Sequence, residues 1–172
     1  LMKNQSVFKL VLAGILVAVA VAASSFSIPV GVTKCLPVQH LVNVLAAVLL
    51  GPWYGVIMAF LTSLIRVALG TGSLLAFPGS MCGALLCGLA YRYTGRLILT
   101  YLGEIIGTGF IGALLSYPIA LWLMGNTSAA LFGFVIPFSV STIGGTLIAA
   151  VVIGILQKAH MLTPSGLTLH KE

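Results

Sequence analysis

Apolar residues in this chain do not alternate with polar ones; they run in long blocks separated by short clusters of Gly, Pro, Thr and Ser. Six such blocks stand out, at about 8–27, 37–50, 53–69, 74–92, 102–124 and 131–157. They are too long for strands, and a helix crossing a bilayer needs about 20 apolar residues. The second block is short, which a membrane helix tolerates when neighbours surround it. The breaks are brief: "PVGVTK", "GP", "GTGS", "YTGR" and "GNTS". The pattern predicts an all-α integral membrane protein, a six-helix bundle filling residues 1–172 as a single transmembrane domain. The first block, within "KNQSVFKLVLAGILVAVAVAASS", also has the form of a signal peptide, with a basic start, an apolar middle and small residues after it. Cleavage would leave five spans and unbalance the charges, so it is read as a span.

Composition agrees. Hydrophobic residues make up 60% of the chain, charged ones 6%, and the mean hydropathy is +1.20. A water-soluble surface cannot be built from that material. The formal charge of +6 comes from basic residues standing singly between apolar runs, so it marks topology rather than a nucleic-acid surface. With both termini cytoplasmic, Lys3, Lys9, Arg92, Arg96, Lys158 and Lys171 fall inside, and only Lys34 and Arg66 fall outside. The positive-inside rule favours that orientation over its inverse. Cys35, Cys82 and Cys87 lack metal-ligand spacing, and no second pair completes a site around Cys35 and His40. They are read as small apolar residues, and no metal or cofactor is expected.

This orientation brings polar groups to one level. Block two opens at the outer surface with Pro37, then Gln39, His40 and Asn43 on one side of a helix. Block three ends there with Arg66, and "GTGSLLAFPGSMCG" follows with Thr71, Ser73, Phe77 and Ser80. Block five arrives with Tyr117, Trp122 and Asn126, and block six starts with Phe134, Phe138, Ser139 and Ser141. The inner level offers nothing equivalent beyond charges and Glu104. Few polar groups among aromatic and small residues is the make-up of a small-molecule pocket. Each residue also has an ordinary explanation: Trp122 and Tyr117 as interfacial aromatics, Arg66 snorkelling to the surface, and Gln39, His40 and Asn43 as interhelical glue. Their agreement on one level carries the pocket reading. The chain has no Asp, and Glu104 is its one acid before Glu172. The expected solute is therefore neutral or anionic, with binding that survives removal of Glu104.

Block one carries Gly14, Ala18 and Ala22 at four-residue intervals, a candidate face for a partner helix. Gly55/Ala59, Gly79/Gly83, Gly103/Gly107 and Ala150/Gly154 repeat the spacing and read as ordinary packing pairs. No phosphate-loop motif, GxSxG or HExxH occurs, so energy for transport would have to come from another chain.

"KCLPVQHLVNVLAAVLLGPWYG", "RVALGTGSLLAFPGSMCGALLCGLAY" and "GEIIGTGFIGALLSYPIALWLMG" together resemble the ThiW family, over about residues 10–157. The resemblance implies a substrate-binding S-component of an energy-coupling factor (ECF) transporter in a prokaryotic plasma membrane. It further implies uptake of the thiazole precursor of thiamin and docking on a transmembrane T-component through small residues of helix 1, here Gly14, Ala18 and Ala22. Two ATPase subunits would drive transport. On that reading hydroxyethylthiazole stacks on Phe77, Tyr117 or Trp122 and hydrogen-bonds to His40, Asn43 or Ser80, within a site that also includes Gln39, Arg66, Thr71 and Asn126. A homodimeric proton-coupled exporter using Glu104 is the competing expectation, and a membrane enzyme or assembly factor the least supported.

Overall fold

A computed structural model describes residues 2–25, 28–30, 33–160, 162–163 and 166–167. The side chains of Lys3, Lys34 and Cys35, and the residues Lys171 and Glu172, lie outside the described part. Among the described residues six helical rods follow one another: α1 (Met2–Ala23), α2 (Pro37–Leu49), α3 (Pro52–Ala68), α4 (Ala76–Thr94), α5 (Leu97–Leu123) and α6 (Val135–Lys158). The connection expected as a plain linker between α1 and α2 is instead a small hairpin, β1 (Ile28–Val30) paired antiparallel with β2 (Thr33–Cys35). A second hairpin after α6 pairs β3 (Leu162–Thr163) with β4 (Gly166–Leu167).

The ends of the rods follow from local chemistry. Pro37 and Pro52 open α2 and α3, where a missing N–H costs nothing and the fixed φ suits the first turn. After α3 the chain passes through Gly70 at φ +73°, and the N–H groups of Thr71 and Gly72 fold back to donate to the Arg66 carbonyl at 2.9 and 3.0 Å. α5 departs from a regular helix twice. Gly107–Gly112 and Ile119–Leu123 form π turns, the second directly after Pro118, which cannot donate to the preceding turn.

α4 runs through the middle, packed against α2, α3 and α5, while α2 also packs against α6. α1 touches only α2 and α3 extensively and lies at the periphery. The bundle turns large apolar side chains outward and buries polar ones within an otherwise apolar core. Leu10, Ile57, Ile98, Ile136 and Val151 are among its exposed large side chains, whereas Ser63, Ser116, Thr100, Thr142 and Glu104 are fully buried. That inversion suits a hydrocarbon solvent. α1, α5 and α6 have the length and hydropathy of complete spans, while α2 and α3 are apolar but shorter. At 13 residues α2 is about 20 Å long. Neighbouring helices cover it, and most of its residues are buried.

Candidate functional site

At the end of the bundle where α2, α4 and α6 begin and α3 and α5 finish, the helices enclose a cavity of about 260 Å³. Its polar wall is built by Gln39 and His40 from α2, Arg66 from α3, Thr71 and Ser73 from the following loop, Ser80 from α4, Thr108 from α5 and Ser141 from α6. Leu36, Leu75, Met124 and Phe138 supply apolar surface. The volume lies just below the usual range of small-molecule sites, about 300–1,000 Å³, and fits a single small ring.

Two hydrogen-bonded groups hold the wall in place. In the first, Arg66 Nη1 donates to Gln39 Oε1, and Gln39 Nε2 donates to Ser63 Oγ at 3.4 Å. Ser63 Oγ lies 3.1 Å from Ser80 Oγ, which in turn donates to the Ala76 carbonyl at 2.7 Å. Because Ser80 spends its proton on Ala76, the Ser63 hydroxyl donates to Ser80, and the series runs one way from α3 to α2, back to α3 and on to α4. Both amide ends of Gln39 are thereby engaged. The second group lies deeper. Glu104 Oε1 lies 2.9 Å from His40 Nδ1 and accepts from Asn43 Nδ2 at 3.0 Å, with Thr108 Oγ1 3.1 Å away. The other Asn43 amide hydrogen goes to the Ser80 carbonyl at 3.1 Å. Among the described residues Arg66 Nε, Glu104 Oε2 and Thr146 Oγ1 are buried without a partner.

α4 comes close enough for this because Gly83 faces Glu104 and Thr108. The pairs Gly79/Gly83 and Gly103/Gly107 form the α4–α5 seam: a Cβ on Gly107 would meet the Cys82 carbonyl at 2.7 Å, and one on Gly103 the Leu86 carbonyl at 2.9 Å. At the mouth, Ser24 Oγ, just past α1, lies 3.0 Å from Thr71 Oγ1, and the Leu36 N–H donates to Ser141 Oγ at 2.8 Å.

Of the residues expected at the site, Gln39, His40, Arg66, Thr71 and Ser80 line the cavity, and Asn43 lies directly behind them. Phe77, Tyr117, Trp122 and Asn126 do not line it. Phe77 instead packs its ring against Phe60, centroids 5.5 Å apart. Tyr117 is half-buried elsewhere on α5. Trp122 is 78% exposed, and Asn126 is exposed in a turn where its Oδ1 accepts the Ser128 N–H. The aromatic ring at the cavity is Phe138, tilted against Phe134. Glu104 is the other correction: it belongs beneath the cavity, held by α2, rather than to the opposite surface. Thr108 and Met124 were not anticipated. Thr108 could have been found as the hydroxyl one turn after the lone intramembrane acid.

Residues 10–159 match the family described as thiamine-precursor transporter protein, ThiW. The chain belongs to the ThiW family. The match takes in all six helices except the start of α1, and with it the whole cavity. Among curated proteins and solved structures no significant match is found. A multi-pass membrane protein of a thiamine-precursor transporter family thus carries, at one end of its bundle, a small, partly open cavity of mixed polar and apolar lining with one aromatic wall.

Proposed function

We propose that this ThiW protein is the substrate-binding S-component of an ECF-type transporter and binds hydroxyethylthiazole in the cavity between α2, α3, α4 and α6. The observation that carries this reading is the convergence of Arg66, His40, Ser80, Ser141 and Phe138 on one small void within a chain of this family. Phe138 takes the stacking role first expected of Phe77, Tyr117 or Trp122. Arg66 and Ser141 serve the ring nitrogen, and His40 serves the alcohol.

The whole chain acts as one membrane-embedded unit in a prokaryotic plasma membrane, with both termini cytoplasmic and the cavity mouth outside. The distribution of lone basic residues supports that orientation. Docking on the T-component uses α1. Gly14, Ala18 and Ala22 are all exposed, and a Cβ on Gly14 would meet no atom within 4 Å. Two ATPase subunits supply the energy that this sequence has no motif to provide.

The test is calorimetric titration of the purified protein with hydroxyethylthiazole, the pyrimidine precursor and thiamin. Saturable 1:1 binding of the thiazole, at least about tenfold tighter than the other two, is expected. No affinity for any of the three would overturn the assignment.

A further inference from the structure

The role of Glu104 follows from what it does not touch. It is 0% exposed and does not line the cavity, so it cannot meet a solute there directly. Its Oε1 nevertheless holds His40 Nδ1 at 2.9 Å, and His40 does line the cavity. The same Oε1 takes an Asn43 amide hydrogen, which makes it the accepting oxygen, so the proton in the bond to His40 sits on Nδ1. A neutral ring has one N–H, and fixing it on Nδ1 leaves Nε2 as a bare lone pair. Among the described residues Nε2 has no partner within the protein, and it is not one of the buried unpartnered atoms. The same holds for Nη2 of Arg66, another lining residue, while Nη1 is committed to Gln39. The cavity therefore presents one open acceptor and one open donor that cannot exchange roles.

We infer that Glu104 is a positioning residue that locks His40 in the Nδ1–H tautomer, so that the cavity selects a solute with a hydrogen-bond donor for His40 and an acceptor for Arg66. The inference rests on the proposal that this cavity is the ligand site, and it narrows the ligand to a small ring carrying a primary alcohol or equivalent N–H. An uncommitted hydroxyl cannot impose such polarity, because it can donate or accept. Asn43 shares the task, since its amide pins the same carboxylate oxygen from the other side.

Two measurements on the full-length purified protein test this. Nitrogen NMR of histidine-labelled protein, with His40 assigned by difference against His40→Gln, should show a protonated Nδ1 and an unprotonated Nε2. Titration with hydroxyethylthiazole and with its analogue bearing an ethyl group in place of the hydroxyethyl should show the analogue binding about 10- to 100-fold more weakly. Glu104→Gln retains an acceptor oxygen and should keep both the tautomer and the preference. Glu104→Met has none, and should release the proton to Nε2 and reduce the preference to below about threefold. A wild-type ring protonated on Nε2, or equal affinity for the two thiazoles, overturns the inference even if Glu104→Met fails to fold. Loss of the preference in Glu104→Gln as well as Glu104→Met would also overturn it, by tying selectivity to the charge rather than to the acceptor. A protein that binds neither thiazole defeats the functional proposal instead, and the NMR signature still reads the Glu104–His40 pair by itself.

Discussion

Replacing Gly83 by alanine is expected to abolish solute binding and to lower the unfolding temperature of the purified protein, through a single added methyl group. A Cβ at this position would stand 2.0 Å from Thr108 Oγ1 and 2.7 and 2.8 Å from the two Glu104 carboxylate oxygens. Contacts that short cannot persist, so either α4 withdraws from α5 or the Glu104 and Thr108 side chains turn away. Withdrawal opens a seam already packed backbone to backbone, where Gly112 sits with its own would-be Cβ 2.5 Å from the Gly79 Cα. Turning Glu104 away strips the acceptor from His40 and Asn43, leaving buried groups unpaired. Overpacking costs about 1–3 kcal/mol, and the orphaned hydrogen bonds add a cost of similar size. Affinity should fall more than about 100-fold, with a fall of several degrees in thermal unfolding in detergent. Gly14→Ala is the control, since no atom lies near enough to object, and it should change neither quantity. Wild-type affinity in Gly83→Ala would mean that the deep polar group does not shape the site.

The second large effect separates binding from transport. Tryptophan at Gly14, Ala18 or Ala22 should leave solute affinity within about threefold of wild type while cellular uptake falls to background. These positions are exposed on the peripheral helix, so a bulky side chain there disturbs no contact inside the bundle. What it removes is close backbone approach by a partner helix. Tryptophan at Ala13 or Ala20 should behave oppositely, because those residues are 7% and 3% exposed and pack in the core shared by α1, α2 and α3. There the protein itself should be destabilised. Normal uptake by all three stripe variants would remove α1 from the docking proposal.

The helices and the polar end of the bundle were legible in the sequence for a simple reason. Apolar blocks broken by Gly, Pro and Thr mark rods directly, and polar residues at the same end of successive antiparallel rods share a depth. Gln39, His40, Arg66, Thr71 and Ser80 were found that way. Depth does not give rotation about the helix axis, and there the aromatic residues went astray. Trp122 and Tyr117 lie beyond the π turn at Gly107–Gly112, and each π turn adds a residue that shifts the phase of everything after it. A face extrapolated at 3.6 residues per turn therefore points the wrong way by that stage. Phe77 was at the right depth but turned toward Phe60. Glu104 was misplaced for another reason: its partners Asn43 and His40 are 61 and 64 residues away, on a helix whose register against α5 no local pattern encodes. The general expectation that a buried intramembrane acid must find donors would have been the better guide.

The cavity itself is open to one direct trial, in which hydroxyethylthiazole is titrated into wild type, Ala76→Trp and Trp122→Ala under identical conditions. Ala76 lines the void, so an indole there fills the space a single ring would need, whereas Trp122 is 78% exposed and off the site. Stoichiometric binding to wild type and Trp122→Ala, with none detectable in Ala76→Trp, is the expected outcome. Undiminished binding to Ala76→Trp, or binding lost on removing the Trp122 ring, would place the solute elsewhere and contradict it.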